Sequence, residues 1–298
     1  MREEVVGYLA VRPDGCYLDA TAGMGGHTEA IARRLTTGRV IACDRDAEAL
    51  EMARRNLAPW GEKVILRKAL FSELENVLLD LGIRQVDGLV ADLGPNYQQL
   101  TSQDRGFSVY AGDAPLDMRM DRSQELTAAD LINHLSEKEL ADLFYRLAAE
   151  RRARKVARAI TRARPIRTMG ELVRLIEPGA PWRKSRLHPA TRVVMALRSA
   201  VNREMEELDA LLEALPRLVA PGGRAVVIAF HSGEDTKVKR RLQELARRGS
   251  IRLLTKHVVR PRPEEVRENP PSRSARLRAV KRIHAETRNE HGNMGNVD

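Results

Sequence analysis

Cysteine is nearly absent from this chain: 298 residues contain two, Cys16 and Cys43. That count excludes a disulfide scaffold or a cysteine metal cluster, and two thiols inside apolar runs suit a reducing cytosol. Aromatic residues are scarce as well. Two Trp, five Tyr and four Phe are too few for a platform that stacks many bases; only Tyr97, Phe107 and Tyr110 fall close together. Long apolar runs are missing: the longest, Ala225 to Phe230, is six residues, against about 20 for a membrane-spanning helix. The first turn of the sequence carries Glu3 and Glu4, then Arg12 and Asp14, with no apolar h-region, so no secretory signal is read there. Nor do His231, His257, His284 and His291 show ligand spacing, so no metal is expected. The expectation is a soluble cytoplasmic protein of roughly two domain equivalents, long enough to bury a full core.

What the chain has in excess is positive charge. Its formal net charge is +10, and 42 of its 51 cations are Arg. Between Arg146 and Glu204 sixteen Lys or Arg stand against four Glu, a local balance of +12. A compositional bias would spread evenly; a cluster is the footprint of phosphate-backbone binding.

The first hundred residues alternate short apolar runs with amphipathic stretches, the pattern of a parallel α/β sheet. Strands are expected at Cys16 to Asp19, Arg39 to Asp44, Val64 to Leu66 and Val86 to Asp92, with a fifth at Arg224 to Phe230 after the Pro221-Gly222-Gly223 turn. Helices are expected at Thr28 to Leu35, N-capped by Thr28, and at Ala47 to Leu57. The separation of strands four and five is far beyond a normal connection. It reads as helix over Ala128 to Leu135, Glu137 to Ile160, Thr168 to Ile176 and Thr191 to Leu215, with caps at Thr127 and Ser136 and breaks at Pro165, Pro178 and Pro181. The simplest organisation is a sheet domain over 1–103 and 205–298, with a helical domain over 104–204 that holds the basic cluster. Leu253 to Val259 and Leu277 to Ile283 would close the sheet, and the tail after Glu286 reads as frayed.

Three strand ends carry the chemistry. Asp19-Ala20-Thr21-Ala22-Gly23-Met24-Gly25-Gly26-His27 leads from a strand through glycines into a helix, where backbone can approach a ligand closely. A dinucleotide loop would place its third glycine at position 28, where Thr28 stands. An acid followed by G-x-G suits S-adenosylmethionine better, because that ligand is cationic at its methionine end and has no pyrophosphate. Asp44 ends the second strand, 21 residues after Gly23, where an acid can accept both ribose hydroxyls. Asp92 ends the fourth strand in Asp92-Leu93-Gly94-Pro95-Asn96-Tyr97. Ligands of open parallel sheets bind outside the carboxyl ends of the strands, so Asp19, Asp44 and Asp92 are expected around one crevice. His231-Ser232 could suggest a hydrolase, but a nucleophile elbow needs glycine where Phe230 and Glu234 stand.

The stretches DATAGMGGH, ACDRDAEAL, DRGFSVYAGDAPLDMRMD, HPATRVVMALRSAVNREMEEL, APGGRAVVIAFHS and ENPPSRSARLR resemble the RsmH family, also called MraW. These bacterial methyltransferases modify the exocyclic amine of a cytidine in 16S ribosomal RNA. The resemblance runs in order from Glu3 to Ile283, with PLDMRMD, HPATR and NPPSRSA its most specific motifs. It implies a class I, Rossmann-like methyltransferase sheet with an inserted all-helical domain that helps engage RNA. It implies that Gly25, Gly26, His27, Asp44, Phe71, Asp92 and Gln99 contact S-adenosyl-L-methionine, and it places the end of strand five near the target base. The chain departs from the family at several points. It begins just after the usual H-x-P-V-L opening, which would make Met1 an internal start and leave one wall of the site incomplete. It reads Pro95-Asn96-Tyr97-Gln98-Gln99 where the family has Val-Ser-Ser-Pro-Gln, and has Gly233 for a usual Leu and Ala114 for a usual Gly.

The implied reaction is N4-methylation of a cytidine in the decoding centre, with 16S ribosomal RNA in the small subunit as partner. Asp92, the Gly94 carbonyl and Asn96 are candidates to accept from the target amine, with Asp113 and Asp117 behind them. Tyr97 is a candidate to touch the unstacked base, and Arg151, Arg154 and Arg158 to bind RNA. Two alternatives stay open: an RNA-binding assembly factor with weak or lost catalysis, and a class I methyltransferase for another substrate.

Overall fold

The computed structural model describes residues 1–177 and 188–283. Seven strands form one sheet: β1 (Cys16–Asp19), β2 (Arg39–Asp44), β3 (Val64–Lys68), β4 (Val86–Asp92), β5 (Val219–Ala229), β6 (Ile251–Leu253) and β7 (Arg276–Arg282). Their order is β3-β2-β1-β4-β5-β7-β6. The first five run parallel, and β7 lies antiparallel to both β5 and β6. Parallel strands are covered on both faces, so they read as continuous apolar runs, and Leu18, Ile41, Val90 and Val226 are all fully buried. Alternation along each strand then feeds two cores. Leu18, Ile41, Leu89 and Val227 pack with Leu78, Leu212 and Leu242 on one face; Tyr17, Val40, Val90 and Val226 pack with Val5, Leu9 and Ile31 on the other.

A further core draws on residues between Ala111 and Val201. The helix Ala153–Ala163 shows how it is built: Ala153, Val156, Ala157 and Ile160 face inward at helical spacing, and its charged residues face out. Two buried polar side chains brace this segment, the first against the start of the helix Ala47–Leu57 and the second within the segment's own end. Arg105 donates to Glu48 Oε2 at 2.7 Å and Asp46 Oδ2 at 3.0 Å. Asn202 donates to the Met118 carbonyl and accepts from the Met120 amide, both at 2.7 Å.

Several expected elements differ. The first loop helix is Gly26–Ala32, with Gly25 at its cap in a left-handed conformation. Thr28 is therefore no N-cap; it lies inside the helix and donates to Asp19 Oδ2 at 2.7 Å. The expected helix from Glu137 to Ile160 is two, Glu137–Ala148 and Ala153–Ala163, parted at Ala149, whose φ is +50°. The one from Thr191 to Leu215 divides likewise into Thr191–Val201 and Glu204–Leu218 at Arg203, φ +49°. The fifth strand starts at Val219, and its pairing with β4 shifts register across the Pro221-Gly222-Gly223 stretch. Leu253 to Val259 is not a continuous strand: β6 ends at Leu253, and only an isolated bridge joins Val259 to Leu277. Pro178, Pro181, His284, His291 and the tail after Glu286 lie outside the described residues. Among the described residues, no helix is long and apolar enough to cross a membrane.

Candidate functional site

β1 is flanked by β2 and β4, so the loops leaving β1 and β4 diverge in opposite directions. A crevice must open at the carboxyl ends where the order reverses. There a cavity of about 780 Å³ is lined by the 20–27 loop, Asp44, Phe71, the 92–97 loop, Arg198 and the 269–275 segment. Both loops need glycine: φ is +50° at Gly23, +94° at Gly25 and +98° at Gly94, a region that costs an L side chain about 1–2 kcal/mol. A Cβ on Gly25 would also strike Leu57 Cδ1 at 2.8 Å, and one on Gly23 would stand 3.7 Å from Asn96 Cβ across the cavity.

The three strand-end acids are not equivalent. Asp19 is fully buried and does not line the cavity, contrary to the expectation from its position. It accepts from the Thr21 amide at 3.1 Å and the Thr28 hydroxyl at 2.7 Å, fastening the glycine loop from beneath. Burial pushes its carboxyl above the usual range, against the pull of His27 and the Thr28 hydroxyl. Asp44 does line the cavity. It accepts from the Gly23 amide at 2.7 Å and the Asp46 amide at 2.9 Å, which leaves about two of a carboxylate's four acceptor positions. Burial raises its pKa to about 6, although those two amides oppose the shift.

Asp92 lines the cavity and is partly exposed. Its amide donates to Thr21 Oγ1 at 2.7 Å, locking the β4 loop to the β1 loop. Its Oδ2 lies 3.4 Å from His27 Nε2. Its Oδ1 is buried with no partner, as is His27 Nδ1. A buried acceptor without a donor is costly unless a ligand supplies one.

Beyond Asp92 the 92–99 loop is held by its own side chains. Asn96 caps the short helix Tyr97–Thr101 by accepting from the Gln99 amide at 2.9 Å, and Gln99 Oε1 accepts from the Asn96 amide at 3.0 Å. Gln99 Nε2 donates to Asp46 Oδ2 at 2.7 Å, beside Arg105. Asn96 and Gln99 thus line the cavity while their amides shape the loop. Tyr97 is 62% exposed at the rim. Phe71, just after β3, presents a partly buried ring.

Other expected residues lie elsewhere. Asp117 is bound through both oxygens by Arg119, Asp113 is exposed, and neither lines the cavity, so they do not stand behind Asp92. Arg151, Arg154 and Arg158 are exposed around the start of the helix Ala153–Ala163, away from the cavity lining; Arg158 pairs with Glu137 at 3.2 Å. His231 caps the helix Ser232–Arg247 and faces Glu234 at 3.0 Å. Two wall residues had no role in the sequence reading. Arg198 is held by Glu204 through two bonds of 2.7 and 2.9 Å, and buried Glu234 accepts from the Phe230 and His231 amides. Arg198 falls in a stretch singled out as a motif and Glu234 lies two residues beyond another, but nothing local marks them as cavity residues.

The sequence profile described as the MraW methylase family matches residues 1–283. A protein of Solibacter usitatus named ribosomal RNA small subunit methyltransferase H is 53% identical over 280 residues, covering 94% of this chain and 97% of that one. A protein of the same name from Cyanothece is 45% identical over 285 residues, covering 96% and 94%.

Proposed function

The chain belongs to the MraW methylase family, and from that premise we propose that it methylates the N4 amine of a cytidine in the decoding centre of 16S ribosomal RNA, with the small ribosomal subunit as substrate. The coarser statement, an S-adenosylmethionine-dependent methyltransferase on a class I sheet, rests on the family and on the strand order. The observation that carries the finer reading is Asp92, whose side chain is 32% exposed in the wall where a cofactor and a target base would meet and whose Oδ1 has no hydrogen-bond partner.

S-adenosylmethionine fits the residues present. The cavity volume lies within the usual 300–1,000 Å³ of ligand sites. Asp44 would take the ribose hydroxyls on its remaining acceptor positions, Phe71 would pack on the base, and the Gly25-Gly26-His27 backbone would approach the ligand closely. When bound, that cofactor supplies an activated methyl group on a sulfonium, so the protein's task is mainly orientation. Cytosine's amine is a poor nucleophile because its lone pair is delocalised into the ring. Asp92 and the Gly94 carbonyl would accept from its protons, favouring a pyramidal nitrogen and stabilising the positive charge that develops there. Asn96 Oδ1 already accepts the Gln99 amide, so only its second lone pair is free for the same task. Tyr97 at the rim would meet the unstacked base. Residues 104–204 would form the RNA-engaging helical domain, with Arg151, Arg154 and Arg158 on its outer face contacting phosphates.

The test is transfer of a labelled methyl group from S-adenosylmethionine to small subunits from a strain lacking this modification, beside free cytidine and free small amines. Label confined to subunit RNA supports the reading. Label in the small molecules redirects it to another substrate, and cofactor binding without transfer leaves an assembly factor.

A further inference from the structure

A second depression, of about 470 Å³, adjoins the cavity. Its walls come from the end of the helix Glu137–Ala148 and from Ser232–Arg247 between Gly233 and Glu244, and they carry Arg146, Lys237, Arg240 and Arg241. Met205 lines both depressions, and Gly233 of this groove precedes Glu234 of the cavity. The groove therefore meets the cavity at Met205.

Its charges are not all balanced. Lys237 pairs with Asp209, and Arg241 with Glu244 at 3.0 Å. Arg146 and Arg240, both exposed, make no ion pair among the described residues. Two uncompensated guanidiniums, one from each wall, stand beside a single shared residue that opens onto the cavity. A target base can enter that cavity only if the phosphates flanking it pass over the rim, and here the rim meets unpaired cations suited to phosphate oxygens. We infer that this groove holds the backbone phosphates of the RNA strand next to the target nucleotide, with Arg146 and Arg240 as the contacts. The inference rests on the reading of the cavity as a site of RNA methylation. It differs from the outer face of Arg151, Arg154 and Arg158 in adjoining the chemistry, so it governs which strand path presents the base.

The test compares the full-length protein with R146Q/R240Q, and with R54Q/R55Q as a control. Arg54 and Arg55 are exposed, pair only with Glu51 and lie outside both depressions. Affinity for a fluorescent single-stranded RNA is measured from about 50 to 200 mM salt, beside the KM for small subunits and the affinity for S-adenosylmethionine. R146Q/R240Q should bind the RNA about tenfold more weakly, with a salt slope shallower by about 1.4, the value for two single-strand phosphate contacts. KM should rise in step, while kcat stays within about threefold and cofactor affinity is unchanged, as expected for contacts that bind ground and transition states alike. The control should match the parent. Parental affinity and slope in R146Q/R240Q, or an equal loss in the control, overturns the groove. Methyl transfer by the parent is scored separately: a parent that binds RNA through the groove but methylates no subunit overturns the function and leaves the groove standing.

Discussion

Asp92→Asn replaces an acceptor-only carboxylate with an amide of the same shape. The parent's Oδ1 is buried without a partner, and its Oδ2 has only His27 Nε2 nearby, at 3.4 Å. The loop itself is anchored by the backbone bond to Thr21 Oγ1, which the substitution leaves in place. On the proposed reaction, what is lost is negative charge beside an amine that becomes cationic as it is methylated. A hydrogen bond to a charged group contributes roughly 1.5–3 kcal/mol, and loss of a preorganised electrostatic contact costs about 2.7 kcal/mol, a hundredfold in rate. Because that charge matters most in the transition state, turnover should fall more than cofactor affinity. Single-turnover methylation of small subunits under saturating S-adenosylmethionine isolates the effect, since binding defects are then masked. A rate within about threefold of the parent, roughly 0.7 kcal/mol, would remove Asp92 from the chemistry and leave it a loop anchor.

With ribose hydroxyls donating to ionised Asp44, as proposed, cofactor affinity should be full above the Asp44 pKa of about 6 and decline below it. Asp44→Ala should weaken affinity by about one to two orders of magnitude and flatten that pH profile; a parent whose calorimetric affinity does not change through this range contradicts the ribose assignment. Stability of the free protein should run the other way. An acid whose folded pKa lies above its unfolded 3.8 contributes a cost that is absent below 3.8, grows as pH rises and is complete above about 6. Arg105→Met would leave Asp46, only 2% exposed, without its cation, and should lower stability by about 3–5 kcal/mol; a urea midpoint shift worth under about 1 kcal/mol refutes the pairing. Arg151→Glu with Arg154→Glu and Arg158→Glu should weaken subunit binding and its salt dependence while sparing cofactor affinity. Unchanged affinity and slope would make that face solvated surface only.

The sheet was legible because each buried strand is an apolar run that stops at a polar residue: Arg39–Asp44 and Val86–Asp92 occupy the spans read from sequence. The helix breaks at Ala149 and Arg203 were not, because both take left-handed backbone without glycine while the apolar period continues past them. Asp19 shows a different limit. A strand-end acid can face a ligand or turn under its loop, and here the Thr28 hydroxyl, one helical turn into the next element, decides for the second. The network of Asp46, Gln99 and Arg105 joins residues 53 and 59 positions apart, beyond any local periodicity. Arg198 and the 269–275 segment were visible as motifs, but only the folded chain places them on the cavity wall.

The most direct measurement is mass analysis of 16S ribosomal RNA from unmodified small subunits after incubation with the protein and S-adenosylmethionine. Digestion to nucleosides should yield N4-methylcytidine, and fragment mapping should place it at one cytidine of the decoding centre. A methyl group on carbon 5, on another base or on a ribosomal protein, or no methyl at all, would contradict the proposed function.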